Sequence, residues 1–367
     1  MYKTVFLRSQ LPDTDSRLQR YINILKKSNN SYLVVGWDRE NNISKFKDSE
    51  IIYNKPAPIG GGVKNIFQLI LWNIFIFRVL FKYKKEYKNI HSVDFDTVLP
   101  ALFFKLFFRK NLIFDIYDKY TDARKMPKFI SFFIDKLEYF SCLMADKLIL
   151  PDICRVKQLG LKNISPLIIE NVPYSDNIVY KEMKDGMPIV VSYVGILERN
   201  NRGLENLINA VKKYPEKIVL HIAGDGELRK VIESASLKFK NIIYFGPVGY
   251  DKALDIMSNS NLIVGMYYKT IKNHLYASPN KYYEHLFLGR ALLTTIGTPP
   301  GDRVLEFNTG FVVGENVKDL TVFLENLSLK ECKIIGKNAK IIWDKFYANY
   351  WRSYATNAYT EILKIED

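Results

Sequence analysis

"YASPNKYYEHLFLGRALLTT", residues 276–295, sets a helix with strong end signals against a short strand. Serine is a good N-cap, and proline suits the first helical position because its missing N–H would be unpaired there anyway. Glycine takes the left-handed conformation that ends a helix. With Ser278, Pro279 and Gly289 in these roles, the stretch predicts a helix over 279–288 and a strand over 290–295. Lys281 and Glu284 then share one face. The free N–H groups around 278–281 and the positive end of the helix dipole suit an anion, and Lys281 adds a charge. Glu284 accepts only, which suits a hydroxyl donor one turn deeper. Phosphate above and diol below describe a nucleotide. A capped amphipathic helix with a surface Lys–Glu pair is the competing reading.

The rest of the chain repeats the strand–helix rhythm. In the first half, "KTVFLR" (3–8), "YLVVGW" (32–37), "EIIY" (50–53), "NIHSV" (89–93), "NLIFDIYD" (111–118) and "DKLILP" (146–151) read as strands. Helical patterns at 15–27, 63–85, 96–108 and 127–143 separate them. The rhythm breaks over the polar, proline-containing stretch 171–188, which reads as a linker. It resumes with "IVVSYVG" (189–195), "KIVLHIAG" (217–224), "NIIYFG" (241–246), "NLIVGMY" (261–267) and "GFVVG" (310–314), divided by helices at 203–213, 227–235 and 250–258. Helices near 317–326, 331–345 and 348–365 follow. Short β-rich runs split by helices argue for parallel sheets covered on both faces. The fold class is therefore α/β: two doubly wound Rossmann-like domains, 1–170 and 189–345, facing across a cleft. The terminal segment 346–367 is expected to pack back on the first domain.

Two more strand–loop–helix units sit upstream of the opening stretch. "SYVGILERNNRGLENLINAV" (192–211) carries Gly195 in the loop and Arg202 at the helix start, where an arginine can clamp a diphosphate. "HIAGDGELRKVIE" (221–233) carries Gly224 and Gly226, which would let a ligand approach the backbone closely. Surface arginines are common and a lone GxG is an ordinary βα turn, so neither decides anything alone.

In order and spacing, the set 193–211, 220–233, 242–267 and 278–295 resembles the donor-binding half of retaining GT-B glycosyltransferases. The nearest resemblance is to the glycosyltransferase-four group of bacterial capsule and lipopolysaccharide enzymes. The resemblance implies that Glu284 binds the donor ribose hydroxyls and that Arg202 meets the diphosphate. It implies that Ser278, Asn280 and Lys281 meet the phosphates and sugar. Gly195, Gly224 and Gly226 complete the donor loops. The family pairs two acids eight apart; the earlier position here is Tyr276.

The first half resembles the same group more weakly, over 13–39 and 90–120. Asp115, Tyr117 and Asp118 end the strand at 111–118, and many relatives have a histidine at the position of Tyr117. Asp94, Asp115, Tyr117 and Asp118 are thus the catalytic candidates. Asp94-Phe95-Asp96 also matches a metal-binding DxD, but acids capping the helix at 96 explain it more simply. Positive charge from Arg202, Lys281 and the helix dipole would stabilise the leaving diphosphate instead of a metal. No metal or cofactor is expected, and His91, His221, His274 and His285 have no ligand-like spacing.

A net charge of +14 over 367 residues implies an anionic partner: nucleic acid, an acidic membrane surface or a phosphorylated substrate. No recognisable nucleic-acid motif accompanies it. Cys142, Cys154 and Cys332 are too few and scattered for a disulfide framework, and the N-terminus lacks a long apolar signal. The stretches 64–88 and 101–110 mix aromatics with Lys and Arg. They read either as buried helices with basic ends or as a patch that docks on anionic lipid. Gly60-Gly61-Gly62 precedes the first as a candidate acceptor loop.

The expected activity is transfer of a sugar from a nucleotide-sugar donor to a saccharide acceptor on a polyprenyl-diphosphate lipid, in surface polysaccharide assembly. Retention is implied by the resemblance. The expected location is the cytoplasmic face of the membrane, peripherally bound. A nucleotide-sugar 2-epimerase and a basic nucleic-acid-binding protein are the rival readings.

Overall fold

The computed structural model describes residues 4–40, 47–57, 65–124, 126–174, 180–183 and 186–363. Gly60, Gly61 and Gly62 lie outside the described residues. The chain forms two compact units, one of 1–170 with 351–367 and the other of 171–350.

The first unit runs β1 (Thr4–Arg8), α1 (Ser16–Lys27), β2 (Tyr32–Asp38), β3 (Glu50–Asn54), α2 (Ile66–Lys82), β4 (Asn89–Val93), α3 (Phe95–Phe108), β5 (Asn111–Asp115), α4 (Lys128–Met144), β6 (Lys147–Leu150), α5 (Cys154–Leu159) and β7 (Leu167–Ile168). Its strands form one sheet in the order β3-β2-β1-β4-β5-β6-β7. Every strand pairing in it among the described residues is parallel. The central strands β1 and β4 are buried along their whole length, as a sheet covered on both faces requires. The Asp15 carboxylate starts α1 by accepting from the N–H groups of Arg17 and Leu18.

The second unit runs β8 (Ile189–Val194), α6 (Leu204–Val211), β9 (Ile218–Ala223), α7 (Arg229–Lys238), β10 (Ile242–Tyr244), α8 (Tyr250–Ser258), β11 (Leu262–Gly265), α9 (Asn280–Leu288), β12 (Ala291–Thr295), α10 (Pro299–Glu306), β13 (Gly310–Val313), α11 (Val317–Asn326) and α12 (Leu329–Phe346). The sheet order is β10-β9-β8-β11-β12-β13, again parallel. Each sheet reverses its order of growth once, between β1 and β4 and between β8 and β11. Open α/β sheets bind ligands at such switch points, beyond the carboxyl ends of the strands.

α5, β7 and α10 are absent from the sequence reading. For α10 the signal was present: Thr298 caps it, its Oγ1 accepting from the Gly301 N–H, and Pro299 follows at the first helical position. "GTPPG" looks like a break, yet it is a helix start. The terminal helix α13 (Tyr354–Leu363) is shorter than 348–365. It belongs to the first unit, where the Tyr359 hydroxyl lies 2.8 Å from His91 Nδ1 of β4.

Candidate functional site

The second unit has a polar pocket of about 200 Å³ at its switch point. β8 delivers Tyr193, Val194, Gly195 and Ile196 to one wall, and β11 delivers Val264 to Tyr267 to another. The start of α9 brings Asn280, Lys281 and Glu284, and the loop before α6 brings Arg202. Five of the residues marked by the sequence therefore meet in one place: Gly195, Arg202, Asn280, Lys281 and Glu284.

The helix at the floor begins one residue later than the sequence predicts. Pro279 itself takes the extended cap conformation and, having no polar side chain, makes no cap hydrogen bond to α9. Ser278 does not line the pocket; its carbonyl accepts from Asn171 Nδ2 at 2.7 Å. Gly265 decides where the Lys281 stem can lie, because a Cβ there would fall 2.9 Å from Lys281 Cγ. Lys281 Nζ reaches Glu284 Oε2 at 3.2 Å, with the Glu284 side chain only 5 % exposed. Arg202 is held by Glu198 (Nε to Oε2, 3.3 Å), and its guanidinium sits 5.2 Å from the centre of the Tyr267 ring. Burial keeps both pocket tyrosines neutral, lifting Tyr193 to about 12 and Tyr267 further.

The glycine reading needs correction. Gly224 and Gly226 do not line the pocket. A Cβ on Gly224 would lie 1.8 Å from the Gly195 carbonyl oxygen, and one on Gly226 would lie 2.7 Å from that of Leu197. What these glycines admit is the neighbouring loop of the same protein. They hold 195–197 in place, with the Leu197 N–H donating to Asp225 O and the Gly195 N–H to Ala223 O. Gly195 is the one with open space beside it. Gly265, Tyr193, Met266 and Tyr267 escaped the sequence reading, although the glycine closing "NLIVG" marked a close approach.

In the first unit the four catalytic candidates gather around the other switch point, after β4 and β5. Asp94 has a backbone φ of +60°, rare for a side-chain-bearing residue. Its Oδ2 accepts from Arg8 Nη1 at 2.6 Å and its Oδ1 from the Tyr117 N–H at 2.9 Å. Burial lifts the Asp94 carboxyl to about 6, against the pull of Arg8. The Tyr117 ring lies beneath the guanidinium groups of Arg8 and Arg17, at 4.6 and 5.1 Å.

Asp115 does not face an opening. It is wholly buried, and Arg17 grips it through Nε and Nη2 at 3.2 and 3.0 Å. Its own burial is outweighed by Arg17 and His91, which hold the carboxyl below its usual range. It joins α1 to the sheet. Asp118 is half-exposed and paired with Arg155 at 2.7 Å. Asp94 is the N-cap residue of α3 and Asp96 stands in its first turn, as the helix-capping account expects, although the Asp94 side chain makes no cap hydrogen bond. Asp96 accepts from Ser9 Oγ at 2.7 Å. Among the described residues no three His, Cys, Asp or Glu side chains gather in a metal-holding group.

With this geometry in view, comparison with known proteins is specific over the second unit. Residues 188–328 match the family described as "Glycosyl transferases group 1". No curated protein matches the chain by sequence. Solved structures match in fold over almost the full length. Anabaena HepE in complex with UDP has 15 % identity and a TM-score of 0.65, covering 94 % of this chain and 95 % of its own. The lipopolysaccharide outer core galactosyltransferase WaaB has 14 % identity and a TM-score of 0.65, covering 98 % and 99 %. A protein assigned as a UDP-N-acetylglucosamine 2-epimerase, from Listeria monocytogenes, reaches 0.60 at 13 % identity, covering 93 % and 91 %. The fold is common to transferase and epimerase, so it does not choose between them. The chain thus has the α/β GT-B fold of two Rossmann-like domains, and residues 188–328 are similar to the group 1 glycosyltransferases.

Proposed function

We propose that this protein moves a sugar from a nucleotide-sugar to a saccharide acceptor, with retention and without a metal. The observation that carries the reading is the convergence of Arg202, Lys281, Glu284 and the start of α9 on one polar pocket at the β8/β11 switch point. The family match over 188–328 and the UDP held by the HepE structure support it. Breaking the bond between the sugar and the diphosphate leaves negative charge on the diphosphate. Arg202, Lys281 and the positive end of the α9 dipole meet that charge, which lowers the barrier to departure. Glu284, one turn deeper, accepts from the ribose hydroxyls. In the first unit, burial raises the Asp94 carboxyl to about 6, toward working pH, as a group that exchanges a proton requires.

The acceptor in this proposal is a lipid-linked saccharide, such as a polyprenyl-diphosphate sugar, in surface polysaccharide assembly. The similarity to WaaB supports the pathway class, and the basic, aromatic helices of the first unit support peripheral binding at the cytoplasmic membrane face. No helix among the described residues is long and apolar enough to cross a membrane.

A thermal-shift screen of UDP-, GDP-, ADP- and dTDP-sugars tests the reading. A ligand at about a hundred times its Kd adds about 2.7 kcal/mol and raises the melting temperature by several degrees. One nucleotide series should do so, and that series should then support sugar transfer in the presence of EDTA. No shift with any of them overturns the proposal. Release of a free 2-epimer without an acceptor would select the epimerase reading.

A further inference from the structure

Three adjacent helices of the first unit turn large apolar side chains to solvent. α2 exposes Phe67, Ile70 and Ile74, and α3 exposes Phe103, Leu106 and Phe107. α4 adds Phe129, Phe132, Phe133 and Leu137. Phe107 and Phe129 are 69 % and 73 % exposed, which a solvated helix face does not tolerate in such number. α2 and α3 each bury one face in the core, through Trp72, Ile76 and Leu80 and through Val98, Leu102 and Phe104, but the apolar residues do not stop at that face. Nor does the exposed face end with them, because α4 extends it.

Between these helices runs a groove of about 620 Å³, lined among others by Ile70, Ile74, Phe77, Phe103, Ile130 and Ile134. This volume is in the range of sites that hold a whole small ligand, roughly 300–1,000 Å³. The walls become polar at Asn73, Asp96 and Tyr120. There the Arg124 guanidinium lies over the Tyr120 ring at 3.8 Å and 3.8 Å from Asp96 Oδ2. Asp96 Oδ1 is buried and has no hydrogen-bond partner among the described residues.

Charge identifies the occupant. Lys84 Nζ lies 3.7 Å from the centre of the exposed Phe81 ring, and Lys136 Nζ lies 5.6 Å from that of Phe132. Exposed Lys82, Lys85, Lys88, Arg109 and Lys128 extend this basic rim, against Glu86. Apolar rings flanked by lysine ammoniums match the boundary between acyl chains and anionic headgroups. We infer that this face sits in an anionic lipid leaflet and that the groove takes one hydrocarbon chain from it, that of the lipid carrying the acceptor. The polar end at Arg124 then meets the anionic head of that lipid. This rests on the lipid-linked acceptor proposed above and adds where the chain lies.

The test uses the full chain and two probes: phosphatidylglycerol–phosphatidylcholine vesicles, and dansyl-undecanoate as a single anionic chain. Wild type should co-sediment with the vesicles and bind the probe saturably. Ile74→Trp, which fills the groove from a partly exposed position, should weaken probe binding about tenfold, the equivalent of roughly two lost methylene contacts. Its melting temperature and its nucleotide-sugar shift should not change. The triple variant Phe107→Ser, Phe129→Ser and Phe132→Ser should lose vesicle binding while keeping the probe. Equal probe affinity in wild type and Ile74→Trp, or no vesicle binding by wild type, overturns the inference. Concentration-dependent dimerisation of wild type, abolished by the triple variant and without vesicle binding, assigns the face to a second copy instead. Because the nucleotide-sugar shift is read separately, failure of this inference is distinct from failure of the transferase reading.

Discussion

Lys281 Nζ lies 3.2 Å from Glu284 Oε2 across one turn of α9, with the two side chains 16 % and 5 % exposed. A solvated i,i+3 pair contributes little, whereas a largely buried one leaves an uncompensated charge when either partner is removed. In the proposed site the pair would hold a cation toward the phosphates and orient the carboxylate beneath it. Its buried position argues against the decorative surface pair that the sequence alone allows.

Arg202 and Lys281 should consequently behave differently when changed to alanine. The Arg202 side chain is 27 % exposed and pairs with a partly exposed Glu198. Arg202→Ala should lower turnover by about tenfold or more, in keeping with a lost charge on the leaving group, while the melting temperature stays within a degree or two. Lys281→Ala should lose activity and also about 3 kcal/mol of stability, because it strands Glu284. Parallel kinetic and urea-denaturation measurements check this; equal stability losses in the two variants would remove the distinction.

Gly224→Ala should destabilise the second unit although it touches no proposed ligand. The new methyl would meet the Gly195 carbonyl oxygen at 1.8 Å, on a backbone with φ of +139°. The strain alone costs about 1–3 kcal/mol, and the displaced 195–197 loop should weaken nucleotide binding as well. Wild-type urea midpoint and affinity in this variant would show that the loop contact is not needed.

His285, next to Glu284 on α9, gives the second unit an acid limit. It is wholly buried, its Nδ1 is 2.9 Å from the Arg290 carbonyl, and its Nε2 has no partner among the described residues. Burial lowers its pKa to about 4, below the unfolded value near 6.5. The unfolded chain therefore binds the proton first. The stability that neutral His285 contributes is full above about pH 6.5 and is lost as pH falls toward 4, by about 3 kcal/mol in all. In His285→Asn, which keeps a donor near the Arg290 carbonyl, the slope of stability against pH over that window should flatten. An unchanged slope would assign the acid sensitivity elsewhere.

The sequence revealed the fold through alternation: β1, β8 and β11 are short, mostly apolar runs, and helix-period patterns separate the strands. It also marked the pocket residues that sit on strand ends and helix starts, Gly195, Arg202, Lys281 and Glu284, because local spacing places them. Long-range contact was not legible. Asp115 ends its strand like a site residue, and only its grip by Arg17, far away in the chain, shows that it is internal. Gly224 and Gly226 announce a close approach without saying to what. The apolar face of α4 was equally hidden, since "KFISFFIDKLEYF" reads the same whether a core or a leaflet receives it.

In the proposed site a nucleotide binds with its ribose on Glu284. Isothermal titration of UDP, the nucleotide held by the HepE structure, into wild type and Glu284→Gln tests it most directly. Glutamine keeps the size and an acceptor but removes the charge, so a loss of about 1–3 kcal/mol is expected. That predicts a Kd raised about tenfold to a hundredfold, in a variant that still folds but melts lower than wild type, because Lys281 loses its partner. Equal Kd values for the two proteins, with both folded, would contradict it.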